Sequence, residues 1–262
     1  MYEPRRYRAT VQPAGLVAFQ VTVRETDLMV MAEAPLVELT QELVRDARGQ
    51  IEDHIAMCPE FRRSLRPLDE PEAHAAELPP VVRWMYRAAA ATETGPMAAV
   101  AGAVSQYVGR GLLEHSAQAI IENGGDVFLS TNSPRIVSIF AGSSSLSMKL
   151  GLRIGPGTFG VCTSSGTVGH SYSMGKADAA TVVSPDAALA DAAATALGNR
   201  VKTAADVPAA LEWIRTIDGI VHAAVIVDET FGTWGEFELV PLAANTNASP
   251  DTGGDGDPAK EG

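Results

Sequence analysis

The chain has 262 residues, of which 46% are hydrophobic and 20% charged, and it carries a net charge of −12. This composition is typical of a globular protein, and no run approaches the roughly 18 apolar residues that a membrane span needs. The acidic balance argues against nucleic-acid binding, because phosphate backbones would repel the chain. The basic N-terminus precedes no apolar run and the two cysteines lie far apart. We therefore expect a cytoplasmic protein without a disulfide or zinc site.

The N-terminal part reads as strands followed by a helix. Residues 7–11 form a candidate strand, and the alternating apolar residues of 17–23 predict another, which returns through 28–31 as a hairpin. A helix with one apolar face is predicted over 35–55. Prolines and charges over 58–80 indicate a surface connection.

The middle of the chain is expected to be helical. Helices are predicted over 80–91 and 97–108, and the second is rich in alanine and glycine, which allows close packing against a neighbour. This helix is expected to resume after Gly111 and to run to Ile121.

The remainder alternates short strands with helices. Its predicted strands cover 127–129, 136–140, 179–183, 219–227 and 237–240, with further short strands between 142 and 175, and its helices cover 186–197 and 207–214. Residues 243–262 have almost no apolar side chain, which predicts a disordered acidic tail after one domain over 1–242. The expected fold class is α+β, with mixed α/β layers in which sheets pack against helices.

A turn at 122–126 is the first candidate binding segment. It reads Glu-Asn-Gly-Gly-Asp between a predicted helix and a strand, and its glycines permit a ligand to approach the backbone closely. Asp126 could orient a ribose or a metal-bound water. The candidate ligand-binding residues are Asn123, Gly124, Gly125 and Asp126. The structural alternative is a helix cap, since Asn and Gly commonly end helices.

A hydroxyl-rich segment at 162–173 is the second candidate. Seven hydroxyl side chains and several backbone N–H groups could hold phosphate oxygens without a formal positive charge. His170 is a candidate general base or phosphate donor near neutral pH. The spacing matches neither a P-loop nor a nucleophile elbow, and the alternative is a polar surface loop. The candidate ligand-binding residues here are Ser164, Ser165, Gly166 and Thr167.

Two further segments offer charged groups. Lys176 and Asp178 precede a predicted strand and could contact a phosphate and a metal or hydroxyl, respectively, or could form a solvent ion pair. Asp191 and Thr195 are four residues apart on an alanine-rich helix, so they share one face. A carboxylate and a hydroxyl are suitable oxygen ligands for magnesium. Alternatively, Asp191 points to solvent near the first helical turn.

Taken in order, these segments resemble the ApbE-like superfamily, the FAD:protein FMN transferases and their relatives. The likeness is strongest to a cytoplasmic branch that carries GPMAAVAGAV, ENGGD, SSGTVGHS, GKAD and ADAAATALGN, and it covers roughly residues 90 to 200. The resemblance implies an ApbE-like fold with a magnesium site at Asp191 and Thr195. It also implies an FAD cleft lined by the 123–126 turn, with Ser165, Gly166 and His170 near the flavin and its pyrophosphate.

One departure from the superfamily affects the predicted flavin cleft. The transferases usually follow their histidine with Asp-Pro-x-Thr-Gly, whereas Ser-Tyr-Ser-Met-Gly follows His170. Magnesium binding therefore carries over more readily than FAD binding, and transfer of FMN to a protein threonine carries over least.

Two classes of function follow. The first is a magnesium-dependent transferase or pyrophosphate-cleaving enzyme that binds FAD or a related flavin- or pterin-type phosphate ligand, with His170 or Asp178 moving protons. The second is a non-catalytic ligand-binding or assembly protein, which the resemblance alone links to tetrahydromethanopterin-dependent one-carbon metabolism. The small-residue helix over 97–108 could also pack between copies of the chain in a homo-oligomer.

Overall fold

The computed structural model describes residues 15–70, 77–166 and 175–242. Its strands are β1 (Val17–Val23), β2 (Thr26–Ala32), β3 (Ala119–Asn123), β4 (Asp126–Thr131), β5 (Arg135–Ser138), β6 (Leu150–Ile154), β7 (Gly157–Ser164), β8 (Ala179–Ser184), β9 (His222–Val227), β10 (Thr230–Gly235) and β11 (Glu238–Pro241). Its α-helices are α1 (Val37–Met57), α2 (Glu60–Arg63), α3 (Pro80–Thr92), α4 (Val100–Leu112), α5 (Ala187–Arg200) and α6 (Val207–Ile214). The predicted strand at 7–11 and the predicted tail lie outside the described residues.

Eight strands form one antiparallel sheet in the order β1-β2-β3-β4-β7-β8-β9-β10, and three form a smaller sheet in the order β11-β6-β5. The large sheet lies between two layers. Buried side chains of β2, β3 and β4 pack with α1, α3 and α4 on one face, while those of β7, β8 and β9 also pack against the small sheet on the other. The structure thus has the predicted α+β class, with sheets packed against helices.

Strand alternation decides which side chains of β4 and β7 face the helices. Phe128 belongs to the helix-side core and Leu129 to the core shared with the small sheet. In β7, Val161 faces the small sheet and Cys162 faces α5. Because direction alternates with each residue, Ser164 is on the same face of β7 as Cys162.

Small residues allow α5 to lie close to α4 and β7. A Cβ atom on Gly102 or on Gly160 would overlap Ala187, the first residue of α5. The sequence prediction of a closely packed small-residue helix is therefore confirmed for α4. Most of α5 is buried, which accounts for its alanines, since larger side chains would not fit between these neighbours.

Three sequence predictions were wrong in detail. Helix α4 continues through Gly109 and ends at Leu112, so the predicted extension to Ile121 is in fact a turn followed by β3. The 58–80 connection contains α2, whose Phe61 is fully buried. Helix α5 also continues past its predicted end at Leu197 to Arg200.

Strand β10 was not predicted at all, and it pairs with β9 at the edge of the large sheet. No helix in the described ranges is long and apolar enough to cross a membrane.

Candidate functional site

A pair of buried carboxylates occupies the junction of β4, α4 and α5. Asp126 is the first residue of β4, and Asp191 lies one turn into α5. Their exposed fractions are only 9% and 8%. The alternative in which Asp191 points to solvent is therefore wrong.

The start of α4 stabilises Asp191. Its Oδ2 accepts a hydrogen bond of 2.8 Å from the backbone N–H of Gly102, and the backbone of Ala101 also hydrogen-bonds to the carboxylate. The first N–H groups of a helix have no partner within the helix and favour a negative charge. Asp191 therefore supplies a partner for the N-terminus of α4.

The segment at 122–126 closes a hairpin between β3 and β4, so the helix-cap interpretation is wrong. Gly124 and Gly125 have φ angles of +70° and +111°, a backbone region that favours glycine. Asn123 Nδ2 donates a hydrogen bond of 3.2 Å to the carbonyl of Ala101. This contact attaches the turn to the same helix start that holds Asp191.

Asp126 is only partly satisfied by its surroundings. The backbone of Thr163 and the Cys162 thiol lie close enough to lower the pKa of its carboxyl, but Oδ1 is buried without a hydrogen-bond partner in the described part of the chain. Ser164 Oγ, on the same face of β7 as Cys162, is likewise buried and unpartnered there. Buried oxygens without partners are uncommon and mark a candidate ligand site.

The surroundings of both carboxylates oppose their ionisation. Burial raises the pKa of Asp126 to about 7, and the nearby Glu122 carboxylate adds to the rise. Burial and then the charge of Asp126 raise the pKa of Asp191 well above its usual range. Burial and both carboxylates also raise the pKa of the Cys162 thiol. The pair must therefore hold a proton or be neutralised by a cation.

The donor types at this junction suit a hard divalent cation. Asp126, Asp191 and Ser164 supply oxygens, and Thr195 lies one helical turn beyond Asp191 on the same side of α5. The described residues contain no group of three or more His, Cys, Asp or Glu side chains arranged to hold a metal. A cation here would need further oxygens from hydroxyls, water or a phosphate ligand, as is usual for Mg²⁺.

The hydroxyl-rich segment leaves the sheet beside the second half of α5. The N–H of Gly166 donates to the carbonyl of Ala177 at 2.9 Å, and a Cβ on Gly175 would overlap the carbonyl of Gly198 in α5. Lys176 is exposed, and its backbone N–H donates to the carbonyl of Val201 at 2.8 Å. Ser165 follows β7 directly, whereas the predicted residues Thr167 and His170 lie outside the described residues.

Asp178 lies beside the β9–β10 turn. Its Oδ2 accepts a hydrogen bond of 2.7 Å from the N–H of Asp228. It lines an open hollow of about 280 Å³ with Asp228, Glu229 and the serines of 143–145. Among the described residues, this hydrogen bond of the Asp178 carboxylate thus lies at the hollow and not at the junction of β4, α4 and α5.

Sequence reasoning missed three residues of the junction: Gly102, Gln106 and Cys162. Gln106 is fully buried, and its Oε1 accepts a hydrogen bond of 2.6 Å from the N–H of Ala187, which joins α4 to α5. Cys162 belongs to β7 and was not among the candidate residues of the 162–173 segment. One signal could have indicated Gln106: it lies four positions after Gly102, so the two share one face of a helix rich in small residues.

Two solved structures that share this architecture are flavin transferases. The flavin transferase ApbE from Vibrio cholerae matches with a TM-score of 0.54 and 16% identity, covering 86% of this chain and 98% of that chain. The apo form of the Pseudomonas stutzeri flavinyl transferase ApbE matches with a TM-score of 0.52 and 14% identity, covering 84% and 94%. The fold is therefore ApbE-like.

Sequence comparison gives the family. The family model described as AbpE bacteria matches residues 8–229. A UPF0280 protein of Methanosarcina acetivorans is 39% identical over 248 residues, which are 93% of this chain and 96% of that protein. A second, from Methanocella arvoryzae, is 39% identical over 224 residues, covering 84% and 89%. The chain therefore belongs to the family described as AbpE bacteria. The resemblance to the ApbE-like superfamily is confirmed.

Proposed function

We propose that the protein binds FAD or a related flavin- or pterin-type phosphate ligand together with Mg²⁺, and that it transfers or cleaves this ligand at its pyrophosphate. The observation that carries the proposal is the buried pair of Asp126 and Asp191 between the glycine turn and α5. Two like charges away from water are costly unless a cation or proton offsets them. The flavin transferases of the same fold support the choice of ligand.

In this proposal the chain's own residues divide into three groups. Asp191 and Thr195 hold Mg²⁺, and His170 or Asp178 moves protons. The remaining residues bind the ligand: Asn123, Gly124, Gly125, Asp126, Ser164, Ser165, Gly166, Thr167 and Lys176. A bound Mg²⁺ would offset negative charge that develops on the phosphate oxygens. The N–H groups of Gly102 and Ala101 would meanwhile keep the Asp191 carboxylate oriented.

A second candidate function is ligand binding without turnover. The sequence after His170, Ser-Tyr-Ser-Met-Gly in place of Asp-Pro-x-Thr-Gly, favours it, since the superfamily segment belongs to the flavin cleft. Under this alternative the ligand and cation would bind, but the pyrophosphate bond would stay intact.

One experiment separates the two candidates. The purified full chain is incubated with FAD and Mg²⁺, and the release of AMP and the binding of flavin are followed together. Hydrolysis adds water across the pyrophosphate and gives FMN and AMP, whereas transfer gives AMP and FMN attached to an acceptor, so the assay includes a threonine-containing acceptor peptide. We expect AMP release in the wild type and its loss in Asp191→Asn. Asp53→Asn, which removes an exposed carboxylate of α1, is the control.

Flavin binding without AMP release from the wild type would support the second candidate and contradict the first. Failure to bind FAD, FMN and a pterin phosphate would contradict both.

A further inference from the structure

We infer that Asp126 is a direct ligand of the divalent cation, so that Asp126 and Asp191 together hold one ion and Asp126 does not contact the flavin. The inference rests on the proposed function for the presence of a cation. It goes further because it makes Asp126 a metal ligand instead of a flavin contact. The hairpin turn between β3 and β4 then becomes part of the metal site.

The first support is geometric. Asp126 and Phe128 are on the same face of β4, and a Cβ on Gly109 of α4 would overlap the Phe128 ring, so this face lies against α4. The Cys162 thiol donates a hydrogen bond of 3.5 Å to the carbonyl oxygen of Ala187 at the start of α5, and the same thiol lies near enough to Asp126 to lower the pKa of its carboxyl. Asp191 follows one turn later. The two carboxylates therefore approach the same space from the sheet and from the helix.

The second support is the pair of buried oxygens without partners. Asp126 Oδ1 and Ser164 Oγ have no hydrogen-bond partner within the described ranges. Helix α5 runs along β7 in the same direction, because Ala187 lies against Gly160, and Gly198 lies against Gly175, beside Gly166. Ser164 is therefore level with the part of α5 between Asp191 and Gly198, where Thr195 is located. These oxygens are of the type that a hard cation and its phosphate ligand would use.

The third support is the charge balance. Each ion pair found among the described residues has at least one clearly exposed partner, and neither Asp126 nor Asp191 takes part in one. Buried carboxylates are normally paired with a cationic side chain or coordinate a metal. A single divalent ion would neutralise both carboxylates at once, whereas a ribose contact by Asp126 would leave their repulsion in place.

The test uses the full chain, stripped with a chelator and titrated with Mn²⁺ alone while the free ion is measured by electron paramagnetic resonance. We expect one Mn²⁺ to bind the wild type. Asp126→Asn and Asp191→Asn should each weaken its affinity at least about tenfold, as expected for loss of one charged ligand. Asp53→Asn should bind Mn²⁺ as the wild type does.

A second readout distinguishes a ligand from a structural residue. In the chelated protein at pH 8, where Asp126 is ionised, Asp126→Asn should raise the melting temperature, because it removes a buried charge. The addition of Mg²⁺ should then raise that temperature less than in the wild type. Wild-type Mn²⁺ affinity in a folded Asp126→Asn variant would overturn the inference, as would an absence of Mn²⁺ binding by the wild type.

A wild-type measurement keeps the inference testable if the variants do not fold. Fe²⁺ with ascorbate and peroxide oxidises or cleaves the chain close to a bound metal, and mass spectrometry maps the positions. Modification around both 126 and 191, prevented by excess Mg²⁺, is the expected result. Modification around 191 alone would overturn the inference.

The inference and the proposed function can fail separately. Loss of FAD binding with unchanged Mn²⁺ affinity in Asp126→Asn would overturn the inference and leave the proposed function standing. Mn²⁺ binding that needs both carboxylates, in a protein that binds no flavin or pterin phosphate, would do the reverse.

Discussion

Two regions of the molecule bury aspartates to the same extent but treat them differently. Asp178 is 7% exposed, and its carboxylate accepts a hydrogen bond from the backbone N–H of Asp228. Asp126 and Asp191 are similarly buried, yet they lie near each other, and one oxygen of Asp126 has no partner among the described residues. Burial alone therefore does not identify a carboxylate that can hold a cation, since the contacts of its oxygens also matter.

The carboxylates of the two regions also have opposite effects on stability. A carboxylate that accepts a backbone N–H completes a turn and contributes to stability. Burial raises the pKa of both Asp126 and Asp191, so their ionisation reduces the stability of the metal-free protein. This loss of stability is typical of a binding site, because a ligand that neutralises the pair stabilises the folded protein when it binds.

The largest effect should come from the helix contact that supports the carboxylate pair. A side chain at Gly102 would overlap the carbonyl of Ala187 and crowd the Asp191 side chain. Gly102→Val should therefore lower the free energy of unfolding by about 3 kcal/mol, the upper end of the usual range for overpacking a closed contact. Urea denaturation of the two proteins gives the value.

Gly49→Ala is the matched control, because Gly49 is also helical but a Cβ there meets nothing within 4 Å. It should raise stability by about 0.5–1 kcal/mol through helix propensity. Equal effects at the two glycines would mean that α4 and α5 are not in close contact.

The next effect is the pH dependence of the metal-free protein. The pKa of Asp126 is raised from 3.8 to about 7 on folding, so its protonated form stabilises the fold at low pH and this contribution is lost as the pH rises. Between pH 5 and pH 8 the loss should be about 2–3 kcal/mol. Urea denaturation of wild type and Asp126→Asn in chelator at both pH values measures it.

The difference between the two proteins is the informative quantity. Burial lowers the pKa of His222 to about 4, so its titration acts in the opposite direction and destabilises the fold as the pH falls below about 6.5. This contribution is present in both proteins and cancels in the comparison. Parallel pH profiles for wild type and Asp126→Asn would contradict the assignment of the titration to Asp126.

The sequence predicted the layered fold because alternation and helical spacing are local signals. The hairpin at 17–31 and the helices at 80–91 and 207–214 follow directly from these patterns. Strand β10 was not predicted because it contains two glycines, which are uncommon in strands. Gly232 is needed there because Val207 of α6 packs directly on the strand. Strand β3 was interpreted as helix because a short apolar run after a helix fits either period.

The candidate site shows the same division between local and long-range information. The shared face of Asp191 and Thr195 is local, since it needs only the helical repeat. The approach of Asp126 to Asp191 depends on how β4, β7 and α5 pack, and 65 positions separate the two residues. Gln106 was missed for the same reason, because its role is visible only when the first N–H of α5 is known to need an acceptor.

The smallest of these effects concerns the satisfied aspartate and completes the comparison. Asp178→Ala removes the acceptor of the Asp228 N–H, so it should lower the free energy of unfolding by about 1–2 kcal/mol in the chelated protein. Asp126→Asn should change stability at pH 8 in the opposite direction, because it removes repulsion. Both are measured by urea denaturation at pH 8. If Asp178→Ala raised stability as well, the two regions would not differ in kind, and the unsatisfied pair would lose its distinction as a candidate site.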